Sequence, residues 1–562
     1  MTQNQRLLIA LIISLIILTV WQNFIITPET NTKVTENNTS GDITTLEYIK
    51  KPIEILPREH VIQHGFSERK RILLESDTMK GSLSLIGGRL DDVILKKYTE
   101  TADPNSQNVV LLSPGNTNEV FFVEFGWLDS SGQKVELPTK NSVWQHSGSN
   151  LSPMNSINMY WKNSTGITFK LQFSLDEKYM LNIKQSVQNN SGSAVSLHPY
   201  FAVNRTFTES KNTNMLMHEG AIGVLNSKLH EVTFGDIKDD KNLTYKSQSG
   251  WLGWVDKYWL TAIIPQKGSQ FNAKISSFKV SDRDRFQIDG ILEAQLILPN
   301  NSIDKSYNLF IGPKQLKLLE SYEKVYNIEL FDRAVDFGIL YFITKPIFML
   351  LSYFYQILGN FGYAIILLTI VIKLLLFPLS YKSFLSMNKL KALQPQMAKI
   401  KEKFKDDMQG MHKAMMELYK KENANPMSGC LPIIVQMPIF FALYKVLYVT
   451  IEMRHAPFML WIHDLSALDP TSLFNMFGLI PWDPPGFLMI GVLPIIMALT
   501  MHIQQKLNPE PSDPTQAKVM KMLPLIFLFM FASFPSGLVL YWAWSNILSI
   551  LQQAVIKKLH SN

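Results

Sequence analysis

The chain has 562 residues, a net charge of +7, 46% hydrophobic residues and one cysteine. It is too long for a single domain, its modest charge is weak evidence for nucleic acid, and no specific DNA binding is expected. One cysteine excludes a disulfide framework and a cysteine-based metal site. Long apolar runs concentrate in residues 1–26 and 337–556, which predicts a membrane protein with one large water-soluble part.

The N-terminus predicts an uncleaved signal anchor over residues 1–27. Arg6 precedes an apolar run from Leu7 to Val20, and Trp21 follows as an interface anchor. The run lacks the small residues that a cleavage site requires, and with its flanks it offers the roughly 20 residues that span a bilayer. Arg6 favours a cytoplasmic N-terminus. Residues 28–44 are polar and aperiodic, and are predicted to form a linker.

Residues 45–330 are predicted to form an antiparallel β-sandwich. Apolar and polar residues alternate over 167–175 and again over 179–187, which predicts a hairpin with one buried face. Further short strands are predicted at 119–126, 258–265 and 292–298. The domain contains His60, His64, His146, His198, His218 and His230. None has metal-ligand spacing or an adjacent acid–base partner, so we expect no metal, no catalytic residue and no cofactor.

The last third predicts a helical core over residues 361–558, with spans at about 361–382, 429–449, 486–504, 520–535 and 538–556. Within the last two spans, the stretches from Lys521 to Pro535 and from Leu538 to Gln552 offer only about fifteen residues each. About twenty are needed, which predicts a locally thin bilayer. Residues 331–360 contain one more apolar run. If it crossed the membrane, the loop 382–425, with ten lysines and five acidic residues, would lie outside. Short basic loops stay in the cytoplasm, so this run is predicted to be an interfacial helix on the outer surface.

The basic loop predicts a cytoplasmic helical hairpin over residues 387–425. Its two amphipathic segments each present one apolar face, which includes Met397, Met408, Met411 and Met415. Self-packing accounts for most of this pattern, although methionines also suit a surface that meets varied apolar partners. The lysines are expected to attract ribosomal RNA or anionic lipids; those of the first segment are Lys399, Lys401, Lys403 and Lys405.

Lys373 is a formal charge inside an apolar span. A lysine at the centre of a membrane helix costs about 2.5–3.5 kcal/mol on insertion scales and usually faces a bundle interior or a water-filled cavity. Snorkelling is the alternative, but the end of the span at Lys382 is nine residues away, roughly 13 Å at helical rise. Gln436 and a polar stripe on the last span accompany it. The stripe consists of Trp542, Ser545, Asn546, Ser549 and Gln553. Hydrogen bonds between helices are the alternative role for the stripe, but a cation beside it favours a wet groove.

Three motifs in order resemble the Oxa/Alb/YidC family of bacterial membrane insertases: Gly429 to Tyr444, Ala456 to Ser466, and Phe534 to Trp542. The resemblance implies six transmembrane helices, five of them forming the core, and a periplasmic β-supersandwich. It also implies a hydrophilic groove that is closed to the periplasm. On this chain the groove residues would be Lys373, Gln436, Tyr541, Trp542, Ser545, Asn546 and Ser549.

The resemblance also implies a location and partners. The chain would lie in the bacterial inner membrane, with both termini cytoplasmic and residues of about 28–360 periplasmic. Partners would be nascent membrane proteins, the Sec translocon (SecYEG and SecDF), the ribosome, the signal-recognition-particle receptor pathway and membrane lipids. Two features depart from the family: its groove cation is usually arginine, and residues 471–485 resemble an insertion.

Two other functions compete with insertion. A transporter or channel would use Lys373 as an anion site, but the sequence has no convincing internal repeat. An envelope enzyme with a sugar-active β domain would need an acid–base constellation, which the sequence lacks. No nucleotide-binding loop is present either, so the chain is not expected to be an enzyme or to use ATP.

Overall fold

The computed structural model describes residues 54–559, apart from 131, 133, 208–216, 241, 281, 405–406, 423–430, 481, 483, 486–488 and 508–513. The predicted signal anchor and linker lie outside the described residues.

Nineteen described strands form the β domain. They are β1 (Arg71–Glu75), β2 (Met79–Ser84), β3 (Arg89–Thr99), β4 (Asn108–Leu112), β5 (Phe121–Asp129), β6 (Gln145–Ser147), β7 (Ile157–Lys162), β8 (Ile167–Leu175), β9 (Met180–Asn189), β10 (Val195–Thr206), β11 (Gly220–Leu225), β12 (Lys228–Thr233), β13 (Asn242–Ser247), β14 (Gly250–Val255), β15 (Trp259–Pro265), β16 (Phe271–Val280), β17 (Arg283–Leu292), β18 (Gln295–Ile297) and β19 (Ser302–Pro313).

These strands build two antiparallel sheets, which confirms the predicted sandwich. The first sheet has the order β1-β2-β3-β5-β10-β17-β16-β13, with β4 beside β3 and β18 beside β10. The second has the order β12-β11-β14-β15-β19-β9-β8-β7-β6. Aromatic rings meet between the sheets, where the Tyr307 ring lies 5.3 Å from that of Phe125 and 5.8 Å from that of Phe201.

The predicted hairpin over 167–187 is present as β8 and β9. Its inward side chains on β8, including Phe169 and Phe173, are fully buried, because successive side chains in a strand point to opposite faces. The prediction of one strand over 292–298 is wrong. β17 ends at Leu292, and only the three residues of β18 pair there, with β10.

The described helices fall into two groups. Those of the β domain are α1 (Arg58–Ser67), α2 (Phe234–Asp240) and α3 (Leu316–Tyr326). The others are α4 (Tyr341–Leu358), α5 (Phe361–Leu375), α6 (Phe377–Ala392), α7 (Gln394–Lys403), α8 (Met408–Lys421), α9 (Leu431–Val449), α10 (Val492–Leu507), α11 (Pro514–Phe531) and α12 (Ser536–Leu559).

The span predicted at 361–382 is not one straight helix. α5 ends at Leu375, and α6 leaves it at an angle of 62°. Pro378 lies in the first turn of α6. Proline has no N–H and its ring clashes with the carbonyl four residues earlier, which favours a kink or break in the helix at this position. Lys373 lies in the last turn of α5, at this bend.

Three other predicted spans have different bounds from those expected. α10 begins at Val492 instead of 486, and α11 covers Pro514–Phe531 instead of 520–535. α12 has 24 residues, about 36 Å at helical rise. The prediction that the last span is short is therefore wrong. The argument for a thin bilayer that rested on its shortness is wrong as well.

The predicted count of six spans is not confirmed by the described part of the chain. There, Ser536–Lys558 is the one helix that is long and apolar enough to cross a membrane by itself, and α5 with α6 adds a second if the bent pair is one span. α4 agrees with the helix expected at 340–358. It packs against α5 and α9.

The predicted hairpin is present as α7 and α8, which pack against each other. Leu393, Met397 and Met415 form a small buried cluster that is separate from the main core. Met411 is partly buried against this cluster, and the Tyr419 hydroxyl lies 3.7 Å from Sδ of Met397. Self-packing of the apolar faces therefore occurs. Lys399 and Lys403 are exposed and Lys401 is half-buried, whereas Lys405 and the side chain of Met408 lie outside the described residues.

Candidate functional site

A buried polar network lies where α5, α9 and α12 meet. Lys373 comes from the last turn of α5 and is 8% exposed. Its Nζ donates to Ser549 Oγ at 2.9 Å and to Gln436 Oε1 at 3.2 Å. These bonds bring together three residues that the sequence predicted to share a groove.

Gln436 extends the network along α12. While its Oε1 accepts from Lys373, its Nε2 donates to Ser545 Oγ at 3.0 Å and to Tyr541 Oη at 3.3 Å. Tyr541 and Ser545 are both buried. The amide thus uses both its acceptor and its donors, which fixes the position of the acceptor that Lys373 uses.

Gln552 is part of this site, although it was not among the groove residues expected from the sequence. In a continuous helix, the carbonyl of Lys373 would accept from the N–H of residue 377. At the bend, Gln552 Nε2 donates to that carbonyl at 3.1 Å. In the sequence, Gln552 is visible only as a polar side chain one turn after Ser549. Its role as a hydrogen-bond donor to the Lys373 carbonyl depends on the bend.

The surroundings of Lys373 are polar but neutral. In the described part of the chain, both recorded hydrogen-bond partners of Nζ are uncharged oxygens, and no ion pair there includes Lys373. An ammonium group has three N–H donors, and these partners use two. A buried cation in this state attracts a carboxylate or holds water, because leaving the charge without further partners is costly.

In the described part of the chain, Trp542 and Asn546 contact other groups than this network. The Trp542 ring packs in an aromatic cluster, 4.7 Å from Phe440 and 5.1 Å from Phe531. Asn546 is buried and its Nδ2 donates to Thr500 Oγ1 on α10 at 3.3 Å. Asn546 therefore makes the kind of interhelical hydrogen bond that was the alternative role for the stripe.

Towards the other end of the bundle, the interior between α5, α9 and α12 is apolar. Ile365 and Leu368 of α5, Leu443 of α9 and Leu538 of α12 are completely buried. Beyond them, the backbone N–H of Gly537 donates to the carbonyl of Leu465 at 2.9 Å. The interior between these three helices is therefore apolar towards the end where α5 and α12 begin, and the Lys373 network lies towards the end where α9 begins.

The chain is therefore a helical membrane protein that combines a large β-sandwich with a buried cation in its helical core. Residues 71–350 match the YidC periplasmic domain, and residues 353–562 match the family described as 60Kd inner membrane protein. The chain belongs to the YidC family of membrane protein insertases.

Two relatives support this family membership. The membrane protein insertase YidC of Rickettsia akari (strain Hartford) is 45% identical over 554 residues, which are 98% of this chain and 99% of the relative. The protein of the same name from Rickettsia canadensis (strain McKiel) is 44% identical over 554 residues, with the same coverage. A crystal structure described as an active YidC insertase with the first transmembrane domain resolved covers 90% of this chain and 94% of its own, at 17% identity and a TM-score of 0.37.

Proposed function

We propose that this chain inserts proteins into the bacterial inner membrane, and that the network around Lys373 receives the hydrophilic segment of a nascent membrane protein. The observation that carries the proposal is a buried ammonium group whose described partners are neutral. A site of this kind favours an entering carboxylate by electrostatic attraction.

The distribution of buried groups supports the direction of entry. The Lys373 network lies at the end of the bundle that leads to the basic hairpin, and the interior between α5, α9 and α12 is apolar towards the other end. A segment entering from the hairpin side would keep polar contacts through part of the membrane, which lowers the cost of removing its backbone from water. Its apolar helix would then leave sideways into lipid, driven by the hydrophobic effect.

The proposed topology has six membrane helices, with both termini in the cytoplasm and the β domain in the periplasm. α4 would then be the interfacial helix. Its exposed apolar side chains include Phe342, Tyr353 and Ile357, and an interfacial helix buries such side chains at the boundary between headgroups and acyl chains. The hairpin would recruit the ribosome, the signal-recognition-particle receptor pathway or anionic lipids through its exposed lysines. Cooperation with the Sec translocon, both SecYEG and SecDF, belongs to the same proposal.

A transporter or channel with an anion site at Lys373 is the competing function. Reconstitution of the pure chain in liposomes separates the two, with a single-span substrate added in one set and a small-anion efflux assay in the other. Insertion of the substrate without anion efflux supports the proposal. Efflux that depends on Lys373, without insertion, would replace it.

A further inference from the structure

The outer segment 470–482 has its polar groups inside and its apolar side chains outside. At its base, Asp469 and Ser472 are buried. Asp469 Oδ2 accepts from the backbone N–H of Leu493 at 2.8 Å, and Thr471 Oγ1 accepts from that of Val492 at 3.0 Å. These bonds satisfy N–H groups of the first turn of α10, which have no partner within the helix. The base of the segment is therefore fixed to α10.

The rest of the segment exposes large apolar side chains. Leu479 is 80% exposed, and two backbone bonds hold the segment in this turn, Phe477 N to Ser472 O at 2.8 Å and Ile480 N to Asn475 O at 3.0 Å. The exposed residues are Leu473, Phe474, Met476, Phe477, Leu479, Ile480 and Trp482. No charged residue lies between Asp469 and Asp483. Proteins surrounded by water rarely expose so large an apolar surface.

The segment lies at the end of the bundle where α5 and α12 begin, next to the exposed apolar stripe of α10. α5 begins at this end, where the Asn360 side chain donates to the carbonyl of Phe458 at 3.1 Å. The stripe of α10 begins one turn after the base of the segment, and consists of Ile496, Leu499 and Ile503. The exposed apolar surface of the segment thus continues that of a proposed membrane helix.

We propose that residues 473–480 and Trp482 insert into the outer leaflet of the bilayer, at the boundary between phospholipid headgroups and acyl chains. This inference rests on the proposed function for the orientation of the bundle. The absence of charge over the segment and its continuity with α10 favour lipid over a protein partner, and tryptophan is typical of that boundary. The segment would anchor the start of α10 in the membrane.

Nitroxide labels on the full chain test the proposal. Cys430→Ser removes the single native cysteine, and Leu479→Cys or Phe474→Cys then introduces one labelling site at an exposed position, where folding is preserved. Met154→Cys, at a residue 93% exposed in the β domain, is the water control. Leu499→Cys on α10 is the lipid control. Accessibility to oxygen and to a water-soluble nickel chelate is measured in vesicles of phosphatidylethanolamine and phosphatidylglycerol.

The expected result is that labels at 479 and 474 resemble the label at 499, with oxygen access exceeding nickel access, and differ from the label at 154. Nickel access at 479 equal to that at 154, with 499 in lipid, overturns this inference alone. Shielding at 479 from both reagents that disappears when the protein is diluted in lipid assigns the surface to a second copy and also overturns it. A label at 499 that reports water would overturn the membrane placement on which the proposed function depends.

Discussion

Lys445 Nζ lies 2.8 Å from Asp336 Oδ2, and this ion pair connects helix α9 to the segment that follows the β domain. The same carboxylate oxygen accepts from the backbone N–H of His218 at 3.0 Å. Burial raises the pKa of Asp336, but Lys445 and the hydrogen bonds outweigh it and hold that pKa below its usual range. A largely buried charge pair therefore joins the helix that carries Gln436 to the segment after the β domain, and that segment is hydrogen-bonded to the β domain at His218.

Lys445→Ala should destabilise the chain by about 3 kcal/mol, since removing one partner leaves a buried charge without compensation. Thermal unfolding in detergent measures this effect. Asp336→Asn with Lys445→Ala should cost less than the sum of the two single changes, and additive losses would contradict the coupling. Because the folded pKa of Asp336 is lowered, the contribution of the pair should be present above the unfolded pKa and disappear as pH falls through the folded one.

Charge should matter more than shape at Lys373. Lys373→Arg should keep insertion, whereas Lys373→Ala or Lys373→Glu should reduce insertion of substrates with acidic translocated tails by at least about tenfold, since hydrogen bonds to charged groups contribute about 1.5–3 kcal/mol. Insertion into vesicles, scored by protease protection of the tail, measures this.

Thr369→Val is the matched control for Lys373. Thr369 is buried on the same helix, and its hydroxyl donates only to its own helix, at the carbonyl of Ile365, in the described structure. This variant should leave the dependence on tail charge unchanged. Equal insertion of acidic tails by Lys373→Glu and the unchanged chain would disprove the electrostatic role.

Deleting the hairpin, residues 395–422, should weaken recruitment without unfolding the bundle. Its buried cluster of Leu393, Met397 and Met415 is separate from the main core. Ribosome co-sedimentation and insertion should fall, while the protease-resistant membrane fragment should persist. Replacing Lys399, Lys401 and Lys403 with glutamine is the milder test, because it keeps the helices and removes charge. Loss of the resistant fragment on deletion would mean that the hairpin stabilises the core.

Removing the strands and helices of the β domain, residues 54–326, should leave insertion of simple substrates largely intact. The deletion keeps Asp336, and with it the ion pair to Lys445. It removes the contact of Arg454 with the backbone carbonyl of Thr99 and the cation–π contact of Lys257 with Tyr448, so a modest loss of stability is expected. Protease mapping checks the topology. Complete inactivity at normal levels and topology would place an essential role in the β domain.

Asp289 should make the β domain less stable as pH rises. Burial, with Glu124 nearby, raises the pKa of Asp289 to about 7. Between the unfolded pKa and this value the folded state binds more protons, so stability should fall with rising pH, by about 1.4 kcal/mol for each unit between the two pKa values. Thermal unfolding at pH 5 and pH 8 measures the dependence. Asp289→Asn should flatten it, and an unchanged pH profile in that variant would assign the effect elsewhere.

Local patterns in the sequence predicted several of the elements. Alternation of apolar and polar residues predicted β8 and β9, because one face of each strand must be buried. Amphipathic spacing predicted α7 and α8, and the charge of Lys373 in an apolar run marked the site. The bend between α5 and α6 was missed, although Pro378 was its visible cause. Its consequence, a free carbonyl at Lys373 that Gln552 satisfies, involves contact between distant parts of the chain.

Polar positions on α12 can be read directly from the sequence, whereas helix packing selects those that meet Lys373. Tyr541, Ser545 and Ser549 are spaced by four residues and form one line along the helix. Trp542 and Asn546 form a neighbouring line, rotated by about 100°. Both lines are available to a partner helix, and only the packing of α5, α9 and α10 around α12 selects between them. The first line faces the cation on α5 and the amide on α9, whereas Asn546 in the second meets Thr500 on α10.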